Sequence, residues 1–171
     1  MGDDLGSVMR RSFKLAESQN FPHFVGPERA STPINSSPYM VALSDVRNGK
    51  VLKRRDRLMT IFLRCVDTLS ARGIEPVAAL LGGSAIGPKP NPSDLDCVLF
   101  YRADRDSIRD FSWMASFERA SKSDGLDVRL VPLDGDPVLL IKIASFFSTL
   151  YVKNAGEDRI VRGLVLVDCR G

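Results

Sequence analysis

Three prolines at alternate positions set the strongest constraint on this chain: Pro88, Pro90 and Pro92. A proline inside a helix removes a backbone hydrogen bond and clashes with the preceding turn, so residues 85–93 must form a loop. An apolar run at residues 76–81 precedes the loop, and a β-rich run at residues 95–101 follows it. Both runs are short enough to be buried strands, so the pattern predicts two strands joined by a proline-rich linker.

Apolar spacing and helix stop signals divide the rest of the chain. We predict helices and further strands as follows: helices at residues 7–19, 53–72, 106–121 and 137–151, and strands at residues 126–131 and 159–167. This order predicts an α+β (mixed α/β) fold, with a small mixed β-sheet flanked by helices. We assign residues 1–52 to an N-terminal helix and an extended arm rich in proline and serine, and residues 53–171 to the main domain. The sequence leaves open whether the arm packs on its own domain or on a partner.

The helix predicted at residues 137–151 is apolar on nearly every side, and Pro137 suits its first turn. Such a helix is either well buried or faces a partner. The partner would be another protein or, in a homodimer, a second copy of this chain.

Charge and cysteine content narrow the classes of function. The net charge of +3 and the isoelectric point near 8.9 permit a phosphate-bearing ligand without requiring nucleic acid. The densest basic run is Lys53, Arg54, Arg55 and Arg57, where we expect a solvated helix face rather than a nucleic-acid patch. Three separated cysteines without CxxC spacing argue against a disulfide scaffold or a zinc knuckle. We expect a structural role for His23, the only histidine.

We recognise no targeting signal in the sequence. No apolar run reaches the roughly 18 residues of a transmembrane helix. The chain opens with Met1-Gly2-Asp3-Asp4, which is acidic where a secretory signal is basic. We therefore expect a cytoplasmic protein with no membrane contact.

Paired aspartates are the main candidates for chemistry. The Asp-x-Asp pattern occurs three times, at Asp94/Asp96, Asp104/Asp106 and Asp134/Asp136. The second pair suits a helix N-terminus, and the third has the composition of a turn. Only the first pair leads straight into a β-rich run, where residues two apart point to the same face.

Two carboxylates on one face of a strand repel each other. At about 4 Å and an effective dielectric constant near 20 the cost is roughly 4 kcal/mol, which a proton or a cation must offset. Oxygen ligands favour Mg2+ or Mn2+ over zinc, and Cys97 would point to the opposite face of a regular strand. Asp127, within the apolar run at residues 126–131, is the candidate for a third carboxylate. Alternatively, Asp127 pairs with Arg129 or lies on a solvated sheet face.

Gly82-Gly83-Ser84 lies between the first strand and the acids. Glycine lets a backbone approach a phosphate closely, and the amides and the Ser84 hydroxyl can donate to its oxygens. The alternative is a simple tight turn. Pro88-Lys89-Pro90 argues against a P-loop, because it stands where Lys followed by Ser or Thr is needed. No GxGxxG is present to indicate a Rossmann site.

The ordered set of Gly82-Gly83-Ser84, Asp94-Leu95-Asp96 and Asp127 resembles the nucleotidyltransferase superfamily of DNA polymerase beta. The match covers roughly residues 53–132 and implies the nucleotidyltransferase fold. The wider layout is similar to small uncharacterised bacterial nucleotidyltransferase-like proteins, through Ser37-Pro38-Tyr39 and Val161-Arg162-Gly163-Leu164-Val165. The proline-rich linker departs from the pattern, because small members often have a basic helix after Gly-Ser.

The resemblance implies transfer of a nucleoside monophosphate from an NTP, with ATP expected, to a hydroxyl of an unknown acceptor (a protein, an RNA end or a small molecule). Its phosphate-binding residues would be Gly82, Gly83, Ser84 and Lys89. Its catalytic and metal-binding residues would be Asp94, Asp96 and Asp127, the last also helping to deprotonate the attacking hydroxyl. The cofactor would be Mg2+ or Mn2+.

Two other functions stay open at this point. One is a catalytically inactive binding module with this fold, for example in a toxin–antitoxin or other interaction role, which the short region after residue 132 would suit. The other is metal-dependent phosphodiester hydrolysis, which uses similar acids.

Overall fold

The computed structural model describes residues 5–26, 32–103 and 112–170. In these ranges the chain forms five helices, namely α1 (Leu5–Ser18), α2 (Leu43–Arg47), α3 (Asp56–Ala71), α4 (Trp113–Asp124) and α5 (Pro137–Tyr151). It also forms five strands, namely β1 (Tyr39–Ala42), β2 (Ile74–Gly82), β3 (Leu95–Ala103), β4 (Leu126–Pro132) and β5 (Val165–Asp168). Single 3₁₀ turns at Lys53–Arg55 and Gly83–Ala85 precede α3 and follow β2.

The five strands form one mixed sheet in the order β1-β5-β2-β3-β4. The outer pairs, β1 with β5 and β3 with β4, are parallel, whereas β5 with β2 and β2 with β3 are antiparallel. The expectation of a mixed α/β chain with a small mixed sheet is therefore confirmed. The proline-rich linker joins β2 to β3, as predicted.

The sheet separates two apolar layers. Alternate residues of β3 such as Leu95, Cys97 and Leu99 enter the main core, which α3 covers with an apolar stripe including Phe62 and Leu69. Burying each such side chain stabilises the fold by about 1.5–3 kcal/mol. The intervening residues face a smaller layer beneath α5, where the core residues of β2, β3 and β4 are Leu80, Val98, Phe100 and Val131.

The N-terminal arm packs on its own domain. Phe13 of α1, Phe21 and Tyr39 belong to the main core, and the Tyr39 hydroxyl donates to the Pro22 carbonyl at 2.7 Å. β1 and α2 were not predicted, because a four-residue strand and a five-residue helix are too short for a clear period. β1 extends the sheet beside β5, and α2 follows it directly in the chain.

Helix α5 has the predicted bounds, with the Asp136 carboxylate accepting from the Val138 and Leu139 amides at its first turn. The expectation that it is well buried is wrong. Its inner side packs on the smaller layer, whereas its outer side exposes large apolar side chains, namely Val138, Leu139, Ile141, Phe146 and Leu150. The alternative, that this helix faces a partner, stays a prediction.

Two other predicted elements have different bounds. In the described residues α4 begins at Trp113, and the predicted start at 106, with Asp104 and Asp106, lies outside them. The last strand is shorter than predicted and lies later, because the chain at residues 159–164 is irregular before β5. None of the helices in the described ranges combines the length and apolar character that a bilayer crossing needs.

Candidate functional site

Three predicted site residues lie in one row across the sheet. Gly82 at the end of β2 is the register partner of Asp96 in β3, and Asp96 is the register partner of Asp127 in the parallel strand β4. Neighbouring strands are about 4.8 Å apart, so the two carboxylates lie side by side on adjacent strands. The row lies near the end of these strands, where β2 ends and where β3 and β4 begin.

Asp96 and Asp127 face the α5 side of the sheet, because their sequence neighbours Leu95, Cys97 and Val128 are all buried in the opposite core. The prediction that Cys97 points away from the acids is therefore confirmed. Burial raises the pKa of the Cys97 thiol well above its ordinary value.

Two glycines let the turn after β2 close over Asp96. A β-carbon at Gly83 would lie 1.7 Å from the Asp96 Oδ2 atom, and φ at Gly83 is +68°. A β-carbon at Gly82 would lie 2.5 Å from the β-carbon of Tyr151. Both positions therefore require glycine, one for contact with the carboxylate and the other for packing against α5.

Asp96 is half-buried, and its pKa is raised. Burial is the largest cause, because it disfavours the charged form. The negative charges of Asp94 and Asp127 add to the rise, while the positive charges of Lys122 and Arg162 oppose it. Burial and the neighbouring acids therefore disfavour the charged form of Asp96, which a nearby cation would favour.

Asp127 has both cationic neighbours and an unsatisfied atom. Its Oδ2 accepts from Lys122 Nζ at 2.8 Å, and Arg129 Nη2 lies 3.2 Å from its Oδ1. The Arg129 contact lacks hydrogen-bond geometry, so the buried Oδ1 atom has no hydrogen-bond partner. The proposed pairing with Arg129 is thus present as a charge contact, and Lys122 is a second counter-ion that sequence did not indicate. A buried carboxylate oxygen without a donor costs about 1–3 kcal/mol and fits a bound cation.

Asp94 lies outside this row. It precedes β3, is exposed, and accepts a hydrogen bond from the Ser93 hydroxyl at 3.0 Å. Arg57 donates to the Ser93 carbonyl at 2.8 Å and so fixes the backbone beside Asp94. Within the described ranges no three acidic, histidine or cysteine side chains are close enough together to hold a metal ion. The structure therefore brings Asp96 and Asp127 together and leaves Asp94 at the rim.

A cavity of about 450 Å³ opens beside the row and is large enough for a nucleotide-sized ligand. Gly83, Ser84 and Asp96 line it. The end of α5 and the segment that follows also line it, including Tyr151, Lys153 and Arg162. The phosphate-binding prediction for Gly83 and Ser84 thus has a cavity next to an acidic residue, where both can contact a ligand.

Lys153 and Arg162 supply positive charge that the sequence analysis did not assign to the site. Arg162 donates to the Lys153 carbonyl at 2.8 Å and to the Asn154 side chain, which fixes its guanidinium at the cavity wall. Lys153 Nζ lies 3.6 Å from Asp158. Arginine within an otherwise apolar run at residues 160–165 was the signal, but only the fold shows which cavity it enters.

Lys89 does not line this cavity. The side chain is exposed, and its carbonyl accepts from the Arg55 guanidinium at 2.6 Å. Arg55 is only 8% exposed and also donates to three other linker carbonyls, those of Ala85, Gly87 and Pro90, at 2.7–3.1 Å. The linker is therefore fixed from inside the protein, and its lysine points to solvent.

Comparison with known proteins identifies a family for this chain but no function. Residues 29–168 match the model of a family of unknown function, DUF6932. No curated protein and no solved structure matches the chain. Because the match spans most of the sequence, the chain belongs to DUF6932.

Proposed function

We propose that this protein is a metal-dependent nucleotidyltransferase with a polymerase-beta-type fold. The observation that carries the proposal is the row of Gly82, Asp96 and Asp127 on three adjacent strands, with Gly83 against the Asp96 carboxylate. A glycine turn touching one of two neighbouring carboxylates is the arrangement needed to hold a phosphate and a cation together.

The proposed reaction joins a nucleoside monophosphate to an acceptor hydroxyl. The hydroxyl oxygen bonds to the α-phosphorus of an NTP, the bond from that phosphorus to the bridging oxygen breaks, and pyrophosphate leaves with the bonding electron pair. Asp127 would take the hydroxyl proton, a role supported by the absence of a hydrogen-bond donor at its Oδ1. The Gly83 amide and the Ser84 hydroxyl would donate to phosphate oxygens.

The donor set fits a hard divalent cation. Asp96 and Asp127 offer adjacent carboxylate oxygens, one of them unsatisfied, and Mg2+ or Mn2+ prefers such ligands. When bound, the ion would neutralise charge on the attacking and leaving oxygens. Asp94 would join these ligands only by turning from Ser93 toward the row.

The cations of the cavity favour a triphosphate over an uncharged substrate. Lys153 and Arg162 line the same cavity as Ser84 and would balance the charge of the departing pyrophosphate. They would supply the positive charge that a basic helix after Gly-Ser often provides in small members of the resembled superfamily. ATP is the expected donor, and the acceptor is a protein, an RNA end or a small molecule.

The proposal is tested by label transfer and by calorimetry. The protein is incubated with labelled NTPs, Mg2+ or Mn2+, and cell extract, and Asp96→Ala, Asp127→Ala and Asp94→Ala are compared with the control Asp67→Ala. Transfer by the wild type and the control, with loss in Asp96→Ala and Asp127→Ala, supports the proposal. Equal transfer by all variants contradicts it, and cleavage of nucleic acid without pyrophosphate release would indicate hydrolysis.

A second candidate is a catalytically inactive binding module with the same fold. It is favoured by the two cations on Asp127, since Lys122 and Arg129 can act as permanent counter-ions where a metal would bind. The exposed apolar side of α5 would suit a partner of such a module. Calorimetry with Mg-ATP separates the two: binding that is lost in Asp96→Ala supports the enzyme, and no binding of any NTP supports the module.

A further inference from the structure

Five cations gather on the surface formed by α1 and the segment before α3. We call this surface the cation strip: Arg10, Lys14, Lys50, Lys53 and Arg54. It runs through two neighbouring cavities of about 310 and 440 Å³. Lys14, Lys50 and Lys53 line both cavities, so the positive surface is continuous from one to the other.

The strip is only weakly neutralised by the protein itself. Asp45 lies 3.4 Å from Lys50, and Glu17 accepts from the Leu52 amide. In the part of the chain that the structure describes, the other four cations of the strip have no acidic partner. Exposed like charges that share a cavity repel, and an anionic ligand would offset that repulsion.

The fold divides the basic run that the sequence places at residues 53–57. Arg55 is buried on linker carbonyls, and Arg57 donates to the Ser93 carbonyl. The expectation of one solvated helix face is therefore wrong for Arg55, whereas Arg57 is exposed on α3. Lys53 and Arg54 stay exposed and join Lys14 from a distant part of the chain, so the cation strip cannot be recognised from the run alone.

The shape of the strip favours a chain of phosphates over a single small anion. Arg10 and Lys14 are one helical turn apart on α1, and Lys53 and Arg54 add positive charge from the segment before α3 to the same cavities. The aromatic rings that line the two cavities, Phe21 and Phe13, are 5% and 1% exposed. They offer no stacking surface for a base, so recognition would be of the backbone.

We propose that the cation strip binds the phosphate backbone of a nucleic acid, without base preference. This site is separate from the proposed nucleotide cavity and does not depend on catalysis there. The two are neighbours, because Gly87 lines the first cavity of the strip and its β-carbon position lies 3.5 Å from Arg162 Nε of the nucleotide cavity.

The test is fluorescence anisotropy with labelled single-stranded RNA of about 12 nucleotides, at several salt concentrations. Lys14→Gln, Lys53→Gln and Arg54→Gln are combined in one variant. The matched control combines Arg102→Gln, Lys142→Gln and Arg159→Gln, which removes the same charge at exposed positions elsewhere. We expect the strip variant to bind RNA at least about tenfold more weakly than the control variant. We also expect the slope of log K against log salt concentration to be smaller in magnitude by about two for the strip variant.

The remaining measurements distinguish binding of a nucleic-acid backbone from binding of a small phosphate anion. Strands of different base sequence are expected to bind within about twofold of each other, since only backbone is contacted. Binding of tripolyphosphate that RNA does not displace would overturn the proposal in favour of a small-anion site. The proposal also fails if the wild type does not bind RNA saturably, or if the strip and control variants bind equally. Circular dichroism of both variants confirms that they are folded.

Discussion

Gly83 lies so close to Asp96 that a β-carbon on the glycine would be 1.7 Å from the carboxylate Oδ2. No rotation of a methyl group relieves such a contact, so either the turn or the carboxylate must move. The turn that would hold a phosphate and the acid that would hold a cation are therefore mechanically coupled.

Replacing this glycine tests the coupling directly. We expect Gly83→Ala to cost more than the roughly 1–2 kcal/mol of an ordinary left-handed alanine, and to abolish the stabilisation of the protein by Mg-ATP. Gly49→Ala is the matched control, because Gly49 has φ +60° and nothing within 4 Å of the added methyl. Urea unfolding measures the first effect, and thermal shift with Mg-ATP the second. If the two variants behave alike, the close approach at Asp96 is not required.

Removing the charge of Asp96 should stabilise the metal-free protein at neutral pH. The folded-state pKa is raised above the ordinary 3.8 by burial and by the neighbouring acids, so the folded state binds more protons between the two values. The stability of the wild type therefore falls as pH rises from 3.8 through the raised pKa. We expect Asp96→Asn to melt higher than the wild type at neutral pH, with the difference shrinking as pH falls toward 3.8.

Asp67 on α3 provides a control whose pKa shift has the opposite direction. Arg47 lowers the pKa of Asp67, so that carboxylate contributes stability above its ordinary pKa that is lost as pH falls. Asp67→Asn should therefore melt slightly lower than the wild type at neutral pH, by less than the change expected for about 1 kcal/mol, because the pair is exposed. Differential scanning calorimetry across pH measures both. If both variants changed the melting temperature in the same direction, the raised pKa of Asp96 would be contradicted.

Lys122 should compete with a metal ion for Asp127. Its Nζ lies 2.8 Å from the carboxylate and is largely exposed, so its repulsion of a nearby cation is worth roughly 1 kcal/mol. We expect Lys122→Met to tighten Mn2+ binding about fivefold by calorimetry, from that energy. Lys142→Met, at an exposed position on α5, should leave the affinity unchanged. Unchanged or weaker Mn2+ binding in Lys122→Met would support the inactive module, in which the lysine is a permanent counter-ion.

The sequence predicted the strands of the site because their signals are local. An apolar run, two glycines, a proline loop and an Asp-x-Asp before a second run define β2, the turn and β3 without knowledge of the rest. The position of Asp127 beside Asp96 followed from a third apolar run and a resemblance, and the sheet register places the two side by side. The role of the row in catalysis stays a prediction.

The remaining site features depend on contacts between distant segments. Arg162 reaches the cavity only because the segment before β5 crosses the end of α5. Lys122 reaches Asp127 because α4 runs into β4 through Gly125, whose φ is +102°. The exposure of α5 could not be predicted from its composition, since an apolar helix fits either a core or a partner. A run of basic residues does not show which of them are exposed, for a related reason. Arg55 is buried because it binds carbonyls that lie 30–35 residues further along the sequence.

The buried arginine leads to the last prediction. The Arg55 guanidinium makes four hydrogen bonds, all to linker carbonyls, and burial lowers its pKa. Arg55→Met would leave those carbonyls without donors, so we expect a loss of about 3 kcal/mol in the free energy of unfolding. Arg54→Met, at the exposed neighbouring position, should change it by no more than about 0.5 kcal/mol.

Loosening the linker should also be visible locally. A protease of broad specificity such as proteinase K is expected to cut within residues 85–93 faster in Arg55→Met than in Arg54→Met, under conditions where both variants are folded, because the linker carbonyls have lost their donor. Since Gly87 lies against Arg162, the same change should weaken Mg-ATP binding, whereas Arg54→Met should not. Equal stability and equal cleavage in the two variants would show that the linker keeps its shape without Arg55, and that the prolines alone are sufficient to hold it.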